Sequence, residues 1–113
     1  MPRPTRIANS PPAAVEEALE RLGRNIRTAR LRRKLPQADL AARMGVSRFV
    51  VADVERGKPT TGVAVYLGAL WALDLLGNMR KVADPDLDEE GKTLERARGP
   101  KRAGRRRGLS DDF

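Results

Sequence analysis

The chain holds 113 residues, with 23 Lys and Arg against 15 Asp and Glu, so its net charge is +8 and its pI is near 11.0. That length fits one small domain with tails, and the basic surplus attracts polyanions: nucleic acid, an anionic lipid surface or an acidic protein face. With neither Cys nor His, the chain lacks disulfides, thiolate metal sites, the commonest metal ligand and the usual general base, so no metal, no cofactor and no enzyme activity is expected.

Residues 1–14 contain four Pro and few large apolar groups and read as a disordered N-terminal arm. No apolar stretch follows Arg3 and Arg6 as in a secretory leader, and no run approaches the ~18–20 apolar residues of a membrane span. The expected compartment is the cytoplasm, with no membrane partner. Residues 15–83 hold nearly all the large apolar side chains and are the expected folded domain. Leu19, Leu22, Ile26 and Ala29 recur at i, i+3, i+7, i+10 opposite Arg21, Arg24, Arg27 and Arg32, which predicts a helix over 15–34. Pro36 suits the first turn of a second helix over 36–44, and Gly45 its left-handed end. Ser47 is a natural N-cap for a third helix over 48–56, stopped by Gly57 and Pro59. Thr60 or Thr61 caps a fourth over 62–73, with Val63, Leu67, Leu70 and Trp71 inward. A fifth over 76–83 ends before Pro85. Residues 84–113 form a tail that is first acidic (Asp84, Asp86, Asp88, Glu89, Glu90) and then basic (Lys101, Arg102, Arg105, Arg106, Arg107); its acidic part leads a weak helix near 87–98. The fold class is all-α.

The informative stretch is QADLAARMGVSRFVVADVER, from Gln37 to Arg56. Two helices crossing at close range need a small residue at the contact, which Ala41 supplies, and a turn residue tolerant of positive φ, which Gly45 supplies. Leu40, Met44, Val46, Val51 and Val54 stand where both helices must lock to a core. Arg48, Phe49, Ala52 and Asp53 are left facing outward. A helix fits the major groove of B-DNA, where its N-terminal side chains reach base edges.

The run LGRNIRTARLRRKLPQADLAARMGVSRFVVADVERGKP resembles the Xre/Cro-type helix-turn-helix domain over about residues 22–81. The elements that carry the likeness are Ile26-Arg27, Arg30, Leu35-x-Gln37, Leu40-Ala41, Gly45-Val46-Ser47 and Glu55-x-Gly57. Pro36 departs from the Ser or Thr usual in that family, removing a side-chain cap of ~1 kcal/mol that its preset φ offsets in part. The resemblance implies a five-helix, lambda-repressor-like domain with disordered tails. The segment LWALDLLGNMRKVADPDLDEEGKTLERAR is also similar to the C-terminal part of HipB-like antitoxins, which act beside HipA-type kinase toxins. Without a toxin partner the same domain is a free-standing regulator, for example a prophage repressor.

Read this way, Arg48 grips guanine O6 and N7 or a phosphate, and Phe49 meets a thymine methyl or packs on the preceding helix. Ala52 admits close groove approach or is only a good helix former. Asp53 accepts from cytosine N4, sets register by repulsion, or pairs with Arg48 or Arg56. Gln37 and Ser47 serve the DNA backbone, Ser47 alternatively capping its helix. Arg32, Arg33, Arg56, Lys58, Thr60 and Thr61 flank the groove as further backbone contacts or solvated surface. Arg30 and Glu55 resemble the family's structural ion pair. Tyr66 and Trp71 read as core or dimer contacts rather than a ligand box. Leu75, Leu76, Met79 and Val82 form a homodimer interface or close the monomer core; a dimer predicts a palindromic operator with half-sites ~34 Å apart. The basic run 101–107 adds DNA affinity, docks on an acidic partner or only solubilises. The competing function class is a protein-inhibitor module for which DNA binding is incidental.

Overall fold

The computed structural model describes residues 6–99; residues 1–5 and 100–113, with the basic run 101–107, lie outside it. The described residues form helices α1 (Arg6–Asn9), α2 (Ala13–Arg32), α3 (Gln37–Met44), α4 (Arg48–Glu55), α5 (Val63–Ala72) and α6 (Glu89–Ala97), with 3-10 turns at Leu76–Lys81 and Pro85–Leu87. No strand occurs among them. The described part of the arm expected to be disordered contains the helical turn α1 and the first residues of α2, which Pro12 introduces in an extended conformation.

The chain divides into two compact units, one ending at Gly77 and the other starting at Asn78, where the sequence suggested a boundary near 83. In the first unit α3 packs on α4 and α5, and α4 packs on α2 and α5. Its core is Ile26 and Ala29 of α2, Leu40 and Ala41 of α3, Val51 and Val54 of α4, and Tyr66, Ala69, Leu70 and Leu73 from α5 and its end. The stripe on α2 therefore does what its spacing predicts, and Ala41 sits between helices at 3 % exposure. On α5 the expected inward set holds for Leu70, which is in the core, and in part for the half-buried Leu67, but fails at its two ends. Val63 and Trp71, expected inside, are 69 % and 62 % exposed, while Tyr66, Ala69 and Leu73 take the interior. The sequence VAVYLGALWA has no charged residue, so hydropathy alone does not mark which side is buried.

Two glycines bring α2 against α4. A Cβ on Gly23 would lie 2.5 Å from the carbonyl oxygen of Val54 and 2.6 Å from that of Glu55. Gly57, at φ +72°, lies so close to α2 that a Cβ would stand 2.6 Å from the Leu19 carbonyl. Helices α2 to α5 all end in the same way. A left-handed residue (Lys34, Gly45, Gly57, Asp74) follows each one, and the next N–H reaches back five residues to Arg30, Ala41, Asp53 and Leu70 carbonyls respectively. Neither Thr60 nor Thr61 caps α5; Gly62 holds that position. The fifth helix expected over 76–83 is a 3-10 turn, a geometry in keeping with Gly77 and Asn78 near its start and left-handed Ala83 (φ 60°) after it.

In the second unit, the Asp84 and Asp88 carboxylates accept the N–H groups of Asp86 and Gly91, each at 2.9 Å, and so cap the Pro85–Leu87 turn and α6. Glu89 and Glu90 follow in the first turn of α6, where the helix dipole favours negative charge. Neither of these elements buries a residue.

Candidate functional site

Gly45 turns the chain between α3 and α4 at φ 74°, ψ 31°, a conformation open to glycine at no steric cost. This sets α4 with Val51 and Val54 against the core at 1 % and 0 % exposure. The opposite side of α4 is open: Arg48 is exposed, Phe49 is 69 % exposed, and Ala52 and Asp53 are half-buried. The Arg48 guanidinium carbon stands 5.0 Å from the centroid of the Phe49 ring, within cation–π range.

The far end of α4 is tied down by buried charge. Arg30 Nε donates to Glu55 Oε2 at 2.6 Å and Nη2 to Oε1 at 3.0 Å, while Nη1 donates to the Leu35 carbonyl at 2.7 Å. Gln37 Nε2 adds a third donor to Glu55, 3.1 Å from Oε1. One carboxylate thus joins α2, the α2–α3 loop, the start of α3 and the end of α4. The Gln37 amide, assigned from sequence to a phosphate, is engaged inward. Nothing in the local spacing announces a bond between residues 18 positions apart.

Asp53 pairs with Arg56 and, at 3.6 Å, with Lys58, rather than with Arg48. Both cations expected to flank a groove are therefore held beside α4 by one carboxylate. Arg32 is exposed, and Arg33 Nη1 donates to the Ala29 carbonyl at the end of its own helix, 2.9 Å away. Ser47 occupies the N-cap position of α4, but its side chain makes no cap hydrogen bond. Thr60 is exposed and Thr61 half-buried. Leu75 and Leu76 belong to the first unit, half-buried and 38 % exposed; Met79 and Val82 belong to the second, half-buried and 60 % exposed. Tyr66, read from the sequence as a core or dimer contact, is buried, and its hydroxyl, which the sequence does not place, donates to the Lys58 carbonyl at 2.9 Å and fixes the loop after α4. Burial, then the nearby Asp53 charge, raises its pKa above the ordinary tyrosine value.

Among the described residues no cluster of three Asp, Glu, His or Cys could hold a metal ion, and no helix is long and apolar enough to cross a membrane. Residues 26–65 match the family model described as helix-turn-helix. The match runs from α2 into α5 and includes all of α3 and α4, the Gly45 turn and the Arg30–Glu55 pair. No match was found among curated proteins or solved structures. The matched segment is thus similar to a helix-turn-helix domain, and the described residues around it are all-α.

Proposed function

We propose that this protein is a sequence-specific transcriptional repressor of the Xre type that binds double-stranded DNA through α4. One observation carries the reading. Arg48 and Phe49 are exposed at the N-terminal end of α4, whereas the anchors of that helix lie on its inner side and at its C-terminal end. Such a helix can enter a major groove without giving up a core contact. Arg48 and Phe49, with Ala52 between them one turn on, are the base-reading residues. Ser47, Arg32, Arg33, Arg56, Lys58, Thr60 and Thr61 serve phosphates, and the Gln37 amide holds Glu55 while the N–H groups at the start of α3 face the backbone. Asp53 positions Arg56 and Lys58; a phosphate that displaces it gives up little, because exposed ion pairs contribute about 0–1 kcal/mol.

The repressor acts as a homodimer on a palindromic operator, with Leu75, Leu76, Met79 and Val82 in the contact. It controls its own operon as a HipB-like antitoxin and binds a HipA-type kinase toxin. The support for this finer reading is the second unit, whose Val82, Leu87 and Leu94 are each about 60 % exposed and therefore suited to a protein partner. The alternative is a free-standing Xre-family regulator with no toxin partner.

Footprinting on the DNA upstream of the coding region, at two salt concentrations, tests the main reading. Two protected half-sites about one helical turn apart are expected; uniform protection that disappears with salt would reduce the protein to charge-only binding. Co-purification with the product of the adjoining reading frame tests the antitoxin reading, and a lone protein in that experiment favours the free-standing regulator.

A further inference from the structure

The open end of α4 presents two groups as one unit. The Arg48 guanidinium lies over the Phe49 ring at 5.0 Å, and the ring remains 69 % exposed. A stacked guanidinium has fewer conformations to lose when it docks, and the ring shields it from water on one side. Among base edges in the major groove, guanine alone offers the O6 and N7 acceptors that suit both arms of a guanidinium. The apolar feature there is the 5-methyl group of a pyrimidine. Stacked bases are about 3.4 Å apart along the duplex, so a ring centred 5.0 Å from the guanidinium carbon is within reach of a base pair neighbouring the one the guanidinium contacts. Ala52 projects only a methyl group on the next turn and leaves that approach open.

Resting on the DNA-binding reading above, we infer that Arg48 and Phe49 jointly read a single dinucleotide step in which a 5-methylpyrimidine neighbours a guanine. Arg48 takes the guanine and Phe49 the methyl group. The recognised chemistry is the methyl, which thymine and 5-methylcytosine both carry, so the pyrimidine is either of these. The Asp53 carboxylate pairs with Arg56 and Lys58 and not with Arg48, so it is not part of the stacked unit.

The test uses the full chain and duplexes selected by it from a random pool. Selected sites are expected to share a pyrimidine neighbouring a guanine in each half-site. Replacing that thymine by deoxyuridine removes only the methyl, and should weaken wild-type binding roughly fourfold, the equivalent of one methyl buried from water. Phe49→Ala should bind the two duplexes equally, and Arg48→Ala should lose the preference for guanine at the neighbouring position. Duplexes with cytosine or 5-methylcytosine at the same position separate the sources: tighter binding to the methylated one places both pyrimidines in the site, and no difference confines it to thymine. Wild-type indifference to deoxyuridine, or an equal loss in Phe49→Ala, overturns the inference while leaving DNA binding intact. Failure to select any sequence overturns the DNA-binding reading as well. Both variants change exposed side chains, and thermal melts showing unaltered stability establish that they are folded.

Discussion

Glu55 accepts three hydrogen bonds at 8 % exposure, two of them from a guanidinium that is itself buried. Removing one member leaves the other desolvated without its counter-charge. Glu55→Ala is therefore expected to cost about 3–5 kcal/mol, read as a lower midpoint in urea, and the double variant Arg30→Met/Glu55→Leu should lose less than either single change. Tyr66 gives a pH signature. Its folded pKa is raised, so the unfolded chain releases the proton first as pH climbs. Its contribution to stability is thus constant below the ordinary value of 10.0 and declines above it. Tyr66→Phe should remove that alkaline component and lose about 1 kcal/mol at neutral pH with the bond to the Lys58 carbonyl. As the chain has one tyrosine, phenolate absorbance reports it alone.

Along the helices, identical substitutions should act in opposite directions. Gly23 and Gly68 are both inside helices, where alanine is favoured by about 1 kcal/mol. At Gly68 a new Cβ meets only the Met44 side chain, at 3.8 Å, so Gly68→Ala should raise the melting temperature. At Gly23 it meets backbone carbonyls of α4, which cannot rotate away, so Gly23→Ala should cost a net 2 kcal/mol or so by overpacking. The same contrast shows what the sequence reveals. The stripe Leu19, Leu22, Ile26 and Ala29 was legible because charge lines the other side of α2, and Gly45 because a turn between two helices needs φ > 0. Gly23 was not, because an apolar spacing rule has no way to register a residue whose function is to have no side chain. Trp71 was misplaced because α5 is apolar on every side. The Gln37–Glu55 bond spans two helices and leaves no trace in either.

At the scale of the whole chain, every buried hydrophobic residue among the described residues precedes Asp74. A chain ending at Gly77 should accordingly keep the cooperative unfolding of the first unit, with its midpoint within a few degrees of full length in a calorimetric scan; collapse of that transition would show that the second unit contributes to the core. A fixed interior and an open outer side of α4 also carry a historical consequence. Substitutions at the exposed Arg48 and Phe49 should be almost neutral for folding, so descendants of one ancestral scaffold can drift to new targets without first acquiring compensating changes elsewhere. The Arg30–Glu55–Gln37 cluster is the opposite: its members can be exchanged only together, and lineages that diverge at the outer positions should still share those three.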